Sequence, residues 1–486
     1  MNNPRRTPIV AVAVALLCLA GPAWPVVAQP GVAQQEDAQS GNRPPGVPPR
    51  VDPAALPTLA RVNTMPYVVN NPVTWQTGPV QQLAPCQQQV TDNEQDLQAE
   101  PAAQQRLQIR QAQKYATGRG QLVAVIDSGV QPHPRLLGSR LIDGGDYIEN
   151  RGGLVDCDGH GTVVAGLIAA APDETTGFVG VAPAAHILSI RQASTFYSVP
   201  LRRRDTGQEA DNPSAGDTVS MAQAVLRAVR LGATVINISE AACFPATPDQ
   251  DKAPDLQAAV HYAVEHDVVV VVAAANTSPT CRQNTPGAVT TISSPGWFDE
   301  DVLTVAATDD HGEPANFSLH GPWVDVAAPG TEAVSLAAGR PGLADELVDA
   351  RGVAHALNGT SFATPYVAGL AALVRERFPN LTARQVMHRI EQTARHPAGR
   401  PRRSEELGYG MIDPVAALTA PPEEHGAQPS GPARLGALSS PAPEDTLPRT
   451  VALVGSAAAL GALGLTMVVV QTVKRQRQRP GTHAKQ

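Results

Sequence analysis

The sequence has no excess of positive charge. Its 486 residues carry 37 Lys and Arg against 45 Asp and Glu, a formal net charge of −8. A nucleic-acid binder usually presents a basic face, so that class is set aside. Cysteine is scarce, at five. No two cysteines stand in a Cys-x-x-Cys pair, so zinc is not expected. No Asp-x-Asp-x-Asp-Gly run offers a calcium loop. Neither a metal nor another cofactor is predicted. Aromatic residues make up only 4%, and no internal repeat is evident. Proline, by contrast, is frequent at 45. Much of it falls outside the periodic segments, so the folded part is shorter than the chain.

Long uncharged apolar runs are confined to the two ends. Arg5 and Arg6 precede an apolar stretch from Ile9 to Ala20, and "VVAQ" offers a small-residue cleavage site after Ala28. Residues 1–28 thus read as a signal peptide. The apolar stretch is short of the ~20 residues that a membrane span needs. Near the other end, "VALVGSAAALGALGLTMVVVQTV" from Val451 to Val473 has no charge, and "KRQRQR" follows at once. Residues 450–473 are expected to cross a membrane, with the basic tail 474–486 in the cytoplasm. Both signals give one topology: a single-pass protein of the cytoplasmic membrane with its bulk outside. Cys18 leaves with the signal peptide. Cys86, Cys157, Cys243 and Cys281 remain, and an even number in an exported domain favours two disulfides. Spacing does not choose among the three connectivities.

Between the ends, composition divides the chain. Residues 29–114 form a polar extension, rich in Gln, Pro and Gly to about Asp52 and expected to be disordered there. It has weak helical periodicity near Leu97 to Gln113. From residue 115 to 419 short apolar runs alternate with helical patterns. "QLVAVID", "AHILSIR", "ATVINIS", "VVVVVAAAN", "DVLTVAAT" and "WVDVAAP" read as strands. "GTVVAGLIAAA", "DTVSMAQAVLRAVRLG" and "DLQAAVHYAVEHD" read as helices. This alternation predicts an α/β fold with a parallel central sheet and helices on both faces. Residues 420–449 are a Pro-rich tether.

Four positions carry chemistry. Asp127 ends the first strong strand, where open α/β sheets place their sites, although an Asp there is equally a turn cap. His160 stands between two glycines at a helix start in "DCDGHGTVVAG". Asn276 ends the valine run and carries an amide suited to an oxyanion. Ser361, in "ALNGTSFATPYVAGLAAL", opens a helix whose free N–H groups and dipole favour negative charge. Pro365 follows close to that helix start, where a missing N–H is least costly.

"VIDSGV", "DGHGTVVAG", "VVAAAN" and "NGTSFATPYVAGLAAL" resemble the four blocks of the subtilisin-like serine proteases, in the order Asp, His, Asn, Ser. The resemblance covers roughly Tyr115 to Thr419 and implies the subtilisin-like fold. It implies Ser361 as nucleophile, His160 as general base, Asp127 as its orienting acid, and Asn276 with the Ser361 N–H as the oxyanion hole. The chain departs from the pattern twice. Phe362 follows the nucleophile where many subtilisins have Met. In the strand that lends Ser239, Glu240 and Ala241 to the substrate cleft, Glu240, Ala241 and Ala242 stand where a short glycine pair is frequent, which points to a narrower, more selective and more negative groove.

A signal peptide, a subtilisin-like domain, a Pro-rich tether and one membrane span together resemble the mycosins, proteases of type VII secretion systems. That resemblance implies cleavage of a secreted protein and membrane components of the secretion complex as partners, the alternative being mainly a structural scaffold that stabilises the complex, with proteolysis secondary. It further implies an extension that wraps the domain, with Cys86 paired to Cys157 and Cys243 to Cys281. The segment Gln192 to Asp217, with three consecutive arginines, reads as a solvated loop, with a docking surface for secretion-machinery partners as the alternative. A second loop, Ser335 to His355, is placed to border the cleft.

Overall fold

The computed structural model describes residues 46–58, 74–76, 78–86, 98–136, 138–203, 214–247, 253–396 and 402–421, together with Met467. The expected signal peptide and tail lie outside the described residues, as do nearly all of the tether and the expected membrane span. Among the described residues no helix is long and apolar enough to cross a membrane.

Seven parallel strands form the central sheet. They are β1 (Leu122–Asp127), β2 (Leu141–Asp146), β3 (His186–Arg191), β4 (Val235–Ile238), β5 (Val269–Ala273), β6 (Leu303–Thr308) and β7 (Val326–Pro329). Their order across the sheet is β7-β6-β5-β4-β1-β3-β2. Every residue of β4, β5 and β6 is buried. Strands covered on both faces read as continuous rather than alternating apolar runs, which is why they are visible in the sequence. β2 is not. It is an edge strand with exposed positions, two glycines and a register shift at Asp143/Gly145.

The covering helices are α1 (His160–Ala169), α2 (Thr218–Arg230), α3 (Pro254–Glu265) and α4 (Thr360–Arg377), with α5 (Ala383–Gln392) behind α4. α1 packs on α4, and α2 on α3. Asp217 caps α2 by accepting from the Ser220 N–H at 2.7 Å, and Gly232, at φ +84°, takes the left-handed turn beyond its end. Glu376, near the end of α4, accepts from the N–H groups of Thr117, Gly118 and Arg119 at 2.6, 2.6 and 3.0 Å. The helix that carries Ser361 is thereby fixed to the chain that enters β1.

Pro365 is the sixth residue of α4, not part of its first turn. The sequence expectation is corrected here. At this depth a missing N–H removes one helix bond, the one to the Ser361 carbonyl. Ser239 supplies the replacement, its Oγ donating to that carbonyl at 2.9 Å.

The described parts of the extension are packed. Residues 46–52, expected to be disordered, lie against the domain: the Gln257 side-chain amide donates to the Pro49 carbonyl at 2.7 Å. Gln223 does the same for Thr58 at 3.0 Å. The short strand Gln81–Gln82 pairs antiparallel with Ser194–Ser198. Within the periodic stretch, two short helices, Ala102–Leu107 and Ile109–Ala112, are separated by Gln108 at φ +54°. Cys86 is bonded to Cys157, with Cα atoms 4.6 Å apart, and Cys243 to Cys281, at 5.3 Å.

Candidate active site

Asp127 is the last residue of β1 and is fully buried. Its Oδ1 accepts from the Ser128 N–H at 2.7 Å and faces Nδ1 of His160 at 2.8 Å. His160 is the first residue of α1. The helix start comes very close to the turn after β1. A Cβ at Gly161 would fall 2.0 Å from the Gly129 carbonyl oxygen and 3.0 Å from Asp127 Oδ1. Only glycine permits that approach. Gly159, at φ +74°, precedes the helix and offers no side-chain cap.

Asp156 caps in its place, a role that the sequence reading missed although the residue stands in the quoted His160 block. One oxygen accepts from the Gly159 N–H at 2.7 Å and faces Ser128 Oγ at 2.9 Å. The other accepts from the Thr162 N–H and hydroxyl at 2.9 and 2.6 Å. Ser128 Oγ also lies 3.2 Å from Asp127 and accepts from the Gly161 N–H at 2.9 Å. A buried polar frame therefore holds His160 from below. The available signal was an Asp four residues before a helix start whose own cap position is a glycine without a side chain.

Asn276 lies three residues past β5. Its side-chain oxygen accepts from Thr360 twice, from the N–H at 2.9 Å and the hydroxyl at 3.1 Å. The amide nitrogen is thereby turned toward the start of α4. A Cβ at Gly359 would meet Ser361 Oγ at 2.9 Å and Asn276 Nδ2 at 3.2 Å, so the two groups border one space. Phe362 packs beside the imidazole, with ring centroids 5.2 Å apart.

His160, Asn276, Ser361, Ser239, Glu240 and Ala241 line one cleft of about 530 Å³, with Asp127 beneath His160. Ser194, Thr195 and Phe196 form another wall, so the start of the expected solvated loop is a strand at the cleft edge. Leu347, Asp349 and His355, from the second loop, border it as well. The Cys243–Cys281 bond joins two further lining positions. Glu240 Oε1 is 3.9 Å from His160 Nδ1. A ring nitrogen of His160 and the carboxylates of Asp127 and Glu240 fall within 4.8 Å of one another. A cation could share that donor set only by displacing the Asp127–His160 hydrogen bond.

The charges act on one another. Burial works to lower the His160 pKa, but the Asp127 charge, the hydrogen bond to it and the Glu240 charge outweigh burial and hold it above the ordinary histidine value. Desolvation in the cleft pushes Glu240 up, against the opposing pull of His160. Burial likewise raises Asp156, to about 6, although its hydrogen bonds from Thr162 oppose the shift.

The subtilase family model matches residues 118–410. Mycosin-1 of Mycolicibacterium smegmatis is 42% identical over 394 residues, covering 78% of this chain and 86% of its own. The chain belongs to the mycosins, within the subtilase family. It is a subtilisin-like serine protease. The mycosin fold extends through the solved structures. The crystal structure of MycP1 from the ESX-1 type VII secretion system is 39% identical, with a TM-score of 0.67, and covers 79% of this chain and 97% of its own. A chain of an intact ESX-5 inner membrane complex is 36% identical, with a TM-score of 0.66, and covers 87% of this chain and 99% of its own.

Proposed function

We propose that this mycosin is an extracytoplasmic endopeptidase that cleaves a protein exported by a type VII secretion system, using Ser361, His160 and Asp127 as its triad. The observation that carries the reading is the 2.8 Å contact of His160 Nδ1 with Asp127, beneath the cleft that Ser361 and Asn276 also line. With Nδ1 committed to Asp127, the other ring nitrogen serves Ser361. Ser361 Oγ attacks the scissile carbonyl as His160 takes its proton. The resulting oxyanion is met by the Asn276 amide and the Ser361 N–H. His160 then returns the proton to the leaving amine, and Asp127 stabilises the imidazolium between these steps.

The likeness to a chain of the ESX-5 inner membrane complex supports a second role, as a part of a secretion membrane complex held by residues 450–473. The extension belongs to the architecture in this reading and is not a releasable inhibitor. It pairs with the cleft-edge strand and is bonded to Cys157, three residues before His160. Ser361→Ala separates the two roles. Secreted proteins and the assembled complex are compared, by mass spectrometry, between wild-type and Ser361→Ala cells. One uncut substrate with an intact complex is the expected result. A secreted proteome with no changed cleavage would refute the protease role in secretion. Collapse of assembly in a folded Ser361→Ala protein would refute a scaffold independent of catalysis.

A further inference from the structure

We propose that Glu240 recognises a positively charged side chain, lysine or arginine, of the protein substrate close to the bond that is cut. The inference rests on the cleft being the catalytic site, and it adds the class of residue that the site selects.

Glu240 is fixed where selection matters. Its neighbour Ser239 donates to the backbone carbonyl of Ser361 at 2.9 Å, so residue 240 is one residue removed from a bond to the nucleophile itself. Its carboxylate lies 3.9 Å from His160 Nδ1. Glu240 lines the same cleft as Ser361, so a substrate presented to Ser361 passes within reach of it. On its far side the chain continues into the strand Ala242–Pro245, which pairs with Thr291–Ser294 and is bonded through Cys243 to Cys281. The position is held from both sides.

Two other acids line the cleft, and both are engaged. Asp158 accepts from the Ser194 hydroxyl, and from the Thr195 N–H and hydroxyl at 2.7 and 2.6 Å. Asp349 accepts from Arg351 at 2.7 Å and faces His355 at 3.4 Å. Glu240 differs. Among the described residues its carboxylate has no hydrogen-bond partner, only the longer ionic contact with His160, and its side chain keeps 37% of its exposure. No lysine or arginine is among the described residues lining the cleft. A partly desolvated carboxylate with open acceptor sites, in a groove that no lysine or arginine lines, favours a cationic ligand and disfavours an acidic one.

The test uses the full-length protein and a set of fluorogenic peptides. A single lysine, norleucine or glutamate is moved through the positions on either side of a fixed scissile bond. All peptides are read at one fixed pH at which lysine stays charged, so that the protonation state of His160 is common to both rates and cancels in their ratio. Wild-type protein is expected to favour lysine over norleucine by about tenfold in kcat/KM, or ~1.4 kcal/mol, at one position near the cut. Rising salt should shrink that ratio. Glu240→Gln should bring it near one, and Glu240→Lys should turn it toward glutamate. The salt series needs no variant, so the inference stays open to refutation if either variant fails to fold. A lysine preference that is absent, indifferent to salt, or retained in Glu240→Gln overturns the inference. Labelling of Ser361 by a fluorophosphonate reports the catalytic reading separately. A protein that labels but shows no lysine preference refutes the role of Glu240 alone. One that neither labels nor cuts any peptide refutes both.

Discussion

Asn276 Oδ1 accepts from both the N–H and the hydroxyl of Thr360, at 2.9 and 3.1 Å, across 84 residues of chain. This fixes which end of the amide faces Ser361. A side chain held in advance toward a developing charge costs no reorganisation when the charge appears. Asn276→Ala should therefore lower kcat by about 10²–10³ with little change in KM. Thr360→Val removes only the hydroxyl donor and should have a smaller effect in the same direction. Steady-state kinetics on one peptide decides. A KM effect without loss of kcat would mean that Asn276 binds the ground state instead.

The contact of His160 Nδ1 with Asp127 predicts a larger loss. Asp127→Asn keeps the shape but can present an N–H to the ring, which favours the wrong tautomer. A fall in kcat of about 10⁴ is expected, with an unchanged melting temperature. A change of less than tenfold would show that His160 keeps its tautomer without the carboxylate.

Asp156 predicts a stability effect that reaches the site. Its carboxylate serves Gly159 and both donors of Thr162 at the start of α1, and faces Ser128. Asp156→Ala leaves those buried groups unpaired, at roughly 1–3 kcal/mol for each one that finds no water. Urea unfolding should show the loss, and kcat should fall as well, because His160 is the first residue of the helix. A variant with wild-type stability would place the cap elsewhere.

The parts of this design that a reader of the sequence could see are those built from neighbours. The buried strands show as unbroken apolar runs; Asp127 ends one of them, Asn276 closely follows another, and His160 opens a helix between two glycines. Ser361 announces itself by its helix start. The parts that stay hidden are contacts between distant positions. Nothing near Asn276 names Thr360. Nothing near Ser239 says that it replaces the hydrogen bond that Pro365 cannot make. The 3.9 Å approach of Glu240 to His160 joins the chain just past β4 to the start of α1. β2 escaped notice for a different reason: an edge strand with glycines and one open side has no continuous apolar signature.

The bond between Cys86 and Cys157 spans 71 residues and ties the extension to the chain just before His160. The double variant Cys86→Ser, Cys157→Ser should lose roughly 2–4 kcal/mol, largely by loosening the unfolded chain. Calorimetry of the oxidised wild type and the variant measures it. If the extension shapes the cleft edge through the Gln81–Gln82 pairing, KM should rise more than kcat falls. Equal melting temperatures would mean that noncovalent contacts suffice to hold the extension.

The charges around His160 set a direction with pH. Only the imidazole without its second proton can accept the proton of Ser361, so kcat/KM rises as pH rises through the His160 pKa in the free enzyme. Asp127 and Glu240 both hold that pKa above the ordinary value against the effect of burial. The acid limb should accordingly lie higher than for a free histidine. Glu240→Gln removes one of the negative charges, leaving Asp127 and the weaker influence of Asp156. The imidazolium loses support, its pKa falls, and the limb moves to lower pH. Profiles of kcat/KM against pH at constant ionic strength, using a neutral peptide, read this directly. A limb that stays in place, or moves upward, would show that Glu240 does not act on His160.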